Sequence, residues 1–253
     1  MKTKEALINY CLRLGDNNLV LGQRFAEWCS NGPILEEDLA MTNFSLDCFG
    51  QAELYFNYAA ELEGKGHDAD HFAYHRNERQ YFNALIVEMP NGDFAMTMMK
   101  LFLYSAFSKL NYESLSTSPD ETLANLAARS LKEVKYHFRH SSEWIVRFGN
   151  GTEESKFRVQ NALNELWMYT SDMFEITETD TELMELGVIN NAQNLLSQWH
   201  LLVNEILMQA NLTLPSPDSY MAKGGYLGNH TEHLGHLLCE LQYLQKSHQG
   251  ASW

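Results

Sequence analysis

The stretch Ser118-Pro119-Asp120-Glu121-Thr122-Leu123, which opens a run ending at Gly149-Asn150-Gly151, decides what kind of fold this chain adopts. Serine at the cap, proline at the first helical position and glutamate three residues after the serine form a helix-start signature. The hydroxyl takes up an orphaned amide, and proline lacks the amide that would be orphaned. Beyond it, Leu123, Leu126, Val134, Phe138 and Ile145 recur close to the helical period, and nothing interrupts them before Gly149. The spacing predicts one long amphipathic helix over about 119–148.

Working outward, the same pattern repeats. Asp93 is a candidate N-cap for a very apolar helix over about 94–115 (Phe94, Met98, Leu101, Phe102, Phe107, Leu110). Leu7, Leu14, Leu21, Phe25 and Trp28 mark a helix over about 4–30, with bend points at Gly15 and Gly22, and Asn31-Gly32-Pro33 breaks it. A second helix over about 34–63 carries Leu35, Leu39, Leu46, Phe49, Phe56 and Ala60 along one stripe, and a shorter one covers about 69–88. Downstream, Thr152 caps a helix over about 153–170, and the acidic stretch 171–187 has room for one short helix. Helices over about 191–211 and 231–247 follow. No strand pattern occurs. The reading is all-α: residues 1–253 as a single domain, a long-helix bundle whose core helices are 4–30, 34–63, 94–115 and 119–148, with additional C-terminal helices.

Charge and composition exclude several classes of function. Eighteen Lys and Arg stand against 33 Asp and Glu, a formal net of −15, and that field repels nucleic acid, anionic lipid surfaces and the phosphates of a coenzyme A thioester. It attracts a basic partner protein. Four cysteines (Cys11, Cys29, Cys48, Cys239) form no CxxC pair and suit a reducing compartment, so a cytoplasmic setting with no membrane is expected.

The middle of the long helices holds the chemistry. A bundle that binds two irons through carboxylates takes one Glu from each of two helices and a Glu-x-x-His from each of the other two. Neither corresponding place carries that motif here: Asp47 is followed three residues on by Gly50, and Glu133 by Tyr136. Glycine has no side chain, and a phenol near pKa 10 is a poor substitute for imidazole. Asp16 and Asp47 lie nearly equidistant from the turn at Gly32, and Glu133 is level with Lys100 about the turn near Thr117. The expectation is a vestigial layer of Asp16, Asp47, Gly50, Lys100, Glu133, Tyr136 and His137, polar, buried and metal-free, with the lysine replacing the charge of iron. A plainer reading, in which Lys100 reaches solvent and Asp16 is a surface acid, stays open. Metal quantification on chelator-free protein separates them.

Arg13-Leu14-Gly15-Asp16-Asn17-Asn18, Leu46-Asp47-Cys48-Phe49-Gly50-Gln51, Asn77-Glu78-Arg79-Gln80, Lys132-Glu133-Val134-Lys135-Tyr136-His137 and Thr231-Glu232-His233-Leu234-Gly235 stand in an order that resembles one family along nearly the whole chain. That family is the non-catalytic, structural C subunit of bacterial phenylacetyl-CoA epoxidase (ring 1,2-monooxygenase), in the ferritin-like superfamily. The resemblance implies a ferritin-like fold, no cofactor and no catalytic residue in this chain, and a stable complex with a catalytic A subunit that carries the di-iron centre. With the other subunits, that assembly forms the ring 1,2-epoxide of phenylacetyl-CoA in aerobic phenylacetate catabolism. An autonomous binuclear-metal oxidase or ferroxidase with atypical ligands (Asp16, Asp47, Glu133, His137) is the competing enzyme reading, and an unrelated helical scaffold is the third.

Other candidates weigh less. His67, His71 and His75 have the i, i+4 spacing of a metal-binding helix face, yet no distant ligand is evident, and an exposed acidic helix start is the simpler account. His230, His233 and His236 sit with Glu232 at a helix start capped by Asn229 or Thr231. Lys223-Gly224-Gly225-Tyr226-Leu227-Gly228 lacks the spacing of a phosphate loop and reads as a mobile loop near a partner. Trp253 is expected to insert into a partner or fold back on the bundle.

Overall fold

The computed structural model describes residues 2–248, so Trp253 lies outside the described residues. In chain order the helices are α1 (Lys2–Ala26), α2 (Leu35–Glu63), α3 (Ala69–Tyr74), α4 (Leu85–Glu88), α5 (Phe94–Leu115) and α6 (Glu121–Gly149). They continue with α7 (Glu153–Leu166), α8 (Glu178–Glu185), α9 (Ala192–Gln209), α10 (Glu232–Leu241) and α11 (Tyr243–Ser247). Short 3₁₀ turns occupy Glu78–Gln80, Trp167–Tyr169, Ser171–Phe174 and Gly225–Leu227, and no strand occurs among the described residues. The fold is all-α. The chain divides into two compact units, one of Met1–Pro90, Thr177–Leu183 and Gly224–Trp253, the other of Asn91–Ile176 and Met184–Lys223.

In the first unit α1 and α2 form a hairpin packed along its length. The turn is held by the Gly32 amide, which donates to Asp38 at 2.9 Å. Gly15 and Gly22 are contact points within an unbroken helix, since a Cβ at either would collide with Phe56 or Phe49 across the hairpin. The helix ends at Ala26 instead of residue 30, and Ser30 takes a left-handed backbone with φ 67. At the far end of α2, Gly64 adopts φ 71 and returns its amide to the carbonyl of Ala60, a left-handed C-cap.

Three expectations need correction in this unit. The α2 residues turned inward are Met41, Phe44, Cys48, Ala52, Tyr55 and Phe56, while Leu35, Leu39 and Leu46 are 71, 55 and 62% exposed. The helix has apolar residues on two faces, and α1 selects the aromatic one. The segment 69–88 is not one helix. Asp68 caps α3, whose C-cap is His75, and the chain then runs extended so that its amides reach side chains on α1. The last helix likewise breaks at Gln242, whose amide group is drawn to the carbonyls of Ala73 (3.2 Å) and Arg76 (3.1 Å).

In the second unit α5 is buried on nearly every side and packs against α6, α7 and α9. Asp93 and Thr152 cap α5 and α7 as expected, accepting from Met96 and Ser155. The cap of α6 is Asp120, not Ser118: the aspartate accepts from the amide of Leu123, and the serine hydroxyl donates to the carbonyl of Val188 at 2.8 Å. Trp199 on α9 is buried, donates to the carbonyl of Leu103 at 3.0 Å and packs on Trp167 and Phe174. Gly149 ends α6 where a Cβ would strike the backbone carbonyl of Ala210.

Candidate functional site: a buried ion network

Asp16, in the middle of α1, is fully buried. Its two carboxylate oxygens face the guanidinium of Arg76, with Nη1 to Oδ2 at 3.0 Å and Nη2 to Oδ1 in close contact, and Oδ2 also accepts from the amide of Phe82 at 2.9 Å. The neighbouring Asn17 accepts from the amide of Ala84 at 2.8 Å. Arg76 is held from its other side by the carbonyls of Phe72 (2.7 Å) and Gln80 (2.8 Å), with its guanidinium over the ring of Tyr81. Burial pushes the carboxyl of Asp16 above its ordinary value, against the opposing charge and hydrogen bonds of Arg76 and Phe82.

The network continues through Glu88 on α4, also fully buried. Its Oε1 accepts from Asn83 (2.9 Å) and lies 2.6 Å from His230 Nδ1; its Oε2 accepts from the amide (2.8 Å) and hydroxyl (2.6 Å) of Thr231. His230 Nε2 meets the carbonyl of Tyr81 at 2.9 Å. A carboxylate and a carbonyl only accept, so with Glu88 ionised both ring nitrogens donate, an arrangement that favours the imidazolium form. Burial alone lowers the His230 pKa, but the hydrogen bond and charge of Glu88, then Tyr81 and Asp16, carry it above the ordinary imidazole value. Thr231 is the N-cap of α10, but its side chain serves Glu88 and not the helix.

A second pair in the same unit joins Arg13 to Asp180 at 2.6 and 3.0 Å, with Thr177 completing the set. The Arg13 guanidinium lies 4.1 Å from the ring centre of Tyr226. Gly224 to Gly228 is therefore a packed turn and not the mobile loop expected: Tyr226 is buried, and Gly224 and Gly228 take φ of 113 and 77, which glycine adopts without strain.

The other expected layer residues fall as follows. Asp47 is half-buried and Gly50 is exposed, both on α2. Lys100 on α5 is fully buried and donates to Asn91 at 3.0 Å. On α6, Glu133 is half-buried, His137 is buried, and Tyr136 is exposed beneath the guanidinium of Arg139. The cation paired with Asp16 is Arg76, which the sequence reading missed because it drew 69–88 as one helix. The signal was present: no apolar period runs through His75-Arg76-Asn77-Glu78-Arg79-Gln80. Of the histidine stripe, His67 precedes α3 and His75 ends it, so the three do not share a helix face. His67 and His71 stack at 3.6 Å, and His67 Nδ1 lies 2.5 Å from Glu63.

A bridging di-iron centre requires carboxylate oxygens with free lone pairs converging on one point. The oxygens of Asp16 and Glu88 face protein donors instead, and the described residues include no group of three or more His, Cys, Asp and Glu able to hold a metal ion. No helix among the described residues is long and apolar enough to cross a membrane.

The long-helix, strand-free architecture of the described residues is that of the ferritin-like class. A solved structure described as protein 19 with aldehyde deformylating oxidase activity, from Synechococcus, matches with a TM-score of 0.61 over 83% of this chain and 92% of that one. At 14% identity, that likeness concerns the fold alone. Residues 1–253 match the family model described as phenylacetic acid catabolic protein, and the chain belongs to that family. It is 44% identical over 247 residues to the C subunit of the 1,2-phenylacetyl-CoA epoxidase of Escherichia coli (strain K12), covering 98% of this chain and 99% of that one.

Proposed function

We propose that this chain is the structural C subunit of a phenylacetyl-CoA 1,2-epoxidase in aerobic phenylacetate catabolism. It binds and stabilises the catalytic A subunit, which carries the di-iron centre, within a larger cytoplasmic assembly, and it supplies no catalytic residue. The complex is supported by end-to-end likeness to a C subunit. The supporting role rests on one observation: Asp16, the acid best placed at mid-helix to ligate iron, has both oxygens taken by Arg76 and Phe82. None of the four cysteines is joined in a disulfide, which accords with a reducing cytoplasm.

The test is co-expression with the A subunit, followed by metal quantification on the lone chain, the lone partner and the complex, and assay of phenylacetyl-CoA epoxidation. The expected result is a complex of fixed ratio that contains iron and turns over substrate, and a lone chain with no stoichiometric iron. About two metal ions bound to the isolated chain would instead support an autonomous oxidase using Asp16, Asp47, Glu133 and His137.

A further inference from the structure

The outward face of α2 is organised in a way the fold of this chain does not require. Leu39, Asn43, Leu46, Gly50, Glu53 and Asn57 are all exposed and follow one another at three- and four-residue steps, so they form one stripe along the helix. The first half of the stripe carries exposed leucines on either side of Asn43: Leu39 and Leu46 are more than half exposed, and Leu35 prolongs them. The second half borders a cleft of about 360 Å³ between α1, α2 and α3, with Phe49 and Phe56 in its wall and Glu53, Asp68 and Asp70 among its lining residues.

Gly50 stands between the halves. A Cβ there would meet nothing within 4 Å, whereas those of Gly15 and Gly22 would strike aromatic rings. Glycine inside a helix costs about 1 kcal/mol relative to alanine, and here no packing within the described chain explains it. What a helix gains from an exposed glycine is a place where another backbone can approach closely.

We infer that this stripe receives one helix of the catalytic partner protein, crossing α2 at Gly50, with apolar side chains over Leu39 and Leu46 and a lysine or arginine in the acid-lined cleft. The inference rests on the reading under Proposed function and names the surface it uses. An apolar centre beside a charged rim is the anatomy of a specific interface. The aliphatic stem of a basic residue packs on Phe49 while its head meets the carboxylates. A net charge of −15 favours a basic partner. A second copy of this chain is the poorer occupant. Antiparallel pairing about Gly50 sets Leu46 of one copy against the Glu53 end of the other, and parallel pairing sets Glu53 against Glu53.

Binding to the A subunit tests this with Gly50→Leu, Leu46→Asp, Glu53→Lys and, on α9 of the second unit, Leu201→Asp as an exposed control outside the stripe. Gly50→Leu is expected to weaken pairing at least about tenfold while the isolated chain melts no lower than wild type, because the position is open and leucine favours helix. Leu46→Asp and Glu53→Lys weaken pairing, and Leu201→Asp leaves it unchanged. If wild type pairs and all four variants pair equally well, this inference is overturned while the proposed structural role stands. If wild type does not pair, both fall. Wild-type homodimers dissociated by Gly50→Leu would overturn the inference in favour of self-association.

Discussion

Replacing Arg76 with methionine (Arg76→Met) removes the guanidinium from Asp16 while keeping most of the apolar volume of the side chain. Asp16 then retains only the amide of Phe82, and the carbonyls of Phe72 and Gln80 lose their donor. Removing one member of a buried ion pair costs about 3–5 kcal/mol, because the other charge is left in a medium that solvates it poorly. For a chain of this size that corresponds to a fall of roughly 6–20 °C in melting temperature. The pH dependence has a definite sign. Burial already raises the Asp16 carboxyl, and without Arg76 it rises further. A raised folded-state pKa brings no penalty below the unfolded value of about 3.9, and the penalty grows as pH rises through the folded value. The deficit of Arg76→Met, followed by circular dichroism, is therefore smaller at pH 5 than at pH 8. Asp16→Asn in the same chain should recover part of the loss, so the double variant is less damaged than the two single effects added together. A single variant within about 1 kcal/mol of wild type at pH 8, or strict additivity in the double variant, would refute the assignment of Arg76 as the counter-charge.

Three further outcomes follow from the same geometry. His230→Gln should lower the melting temperature more at pH 6 than at pH 8.5: the His230 pKa is raised, so its contribution is fully present below the unfolded value of about 6.5 and is lost as pH rises through the folded value. Equal deficits at both pH values would count against a charged His230–Glu88 pair. Arg13→Met should show the opposite trend, since Arg13 and Thr177 hold the Asp180 carboxyl low despite burial. That contribution is present above about pH 3.9 and disappears as pH falls through the depressed folded value, so urea titrations of variant and wild type should converge in acid. Gly149→Ala should destabilise by about 1–3 kcal/mol although alanine is the better helix former, because its Cβ meets the Ala210 carbonyl; a gain in urea midpoint would contradict that contact.

Local signals carried most of the fold. Asp93, Thr152 and Gly64 act where capping chemistry places them, and the breaks at Asn31-Gly32-Pro33 and Gly149-Asn150-Gly151 separate the long helices. What the sequence concealed was long-range. The amides of Phe82 and Ala84 bond to side chains 66 and 67 residues earlier, so the segment gives up helix for partners that no local window contains. The inward face of α2 was hidden for a related reason: leucines on one side and aromatics on the other have similar periodicity, and only the glycines of α1, shaped to take Phe49 and Phe56, distinguish them. At the start of α6 two cap residues stand close together, and Ser118 is taken by a carbonyl that comes from Val188.

The ion network is better understood as a fastening than as a source of net stability. Buried ion pairs are often matched or surpassed by apolar residues of equal volume, so their presence does not by itself explain a stable core. Their effect is positional. Adjacent residues Asp16 and Asn17 fix two amides of an irregular segment against α1; that segment carries Tyr81 and leads into Glu88, and Glu88 with the Tyr81 carbonyl anchors His230 and Thr231 at the start of α10. Three stretches far apart in sequence are thereby set in register on one helix. A hairpin fixed from within can hold its outward face in one geometry, and a surface that is already ordered gives up less conformational entropy when a partner docks. On that view the engagement of Asp16 and the exposure of Leu39, Leu46 and Gly50 are linked: loosening Arg76, which is itself buried, should weaken pairing with the proposed A subunit.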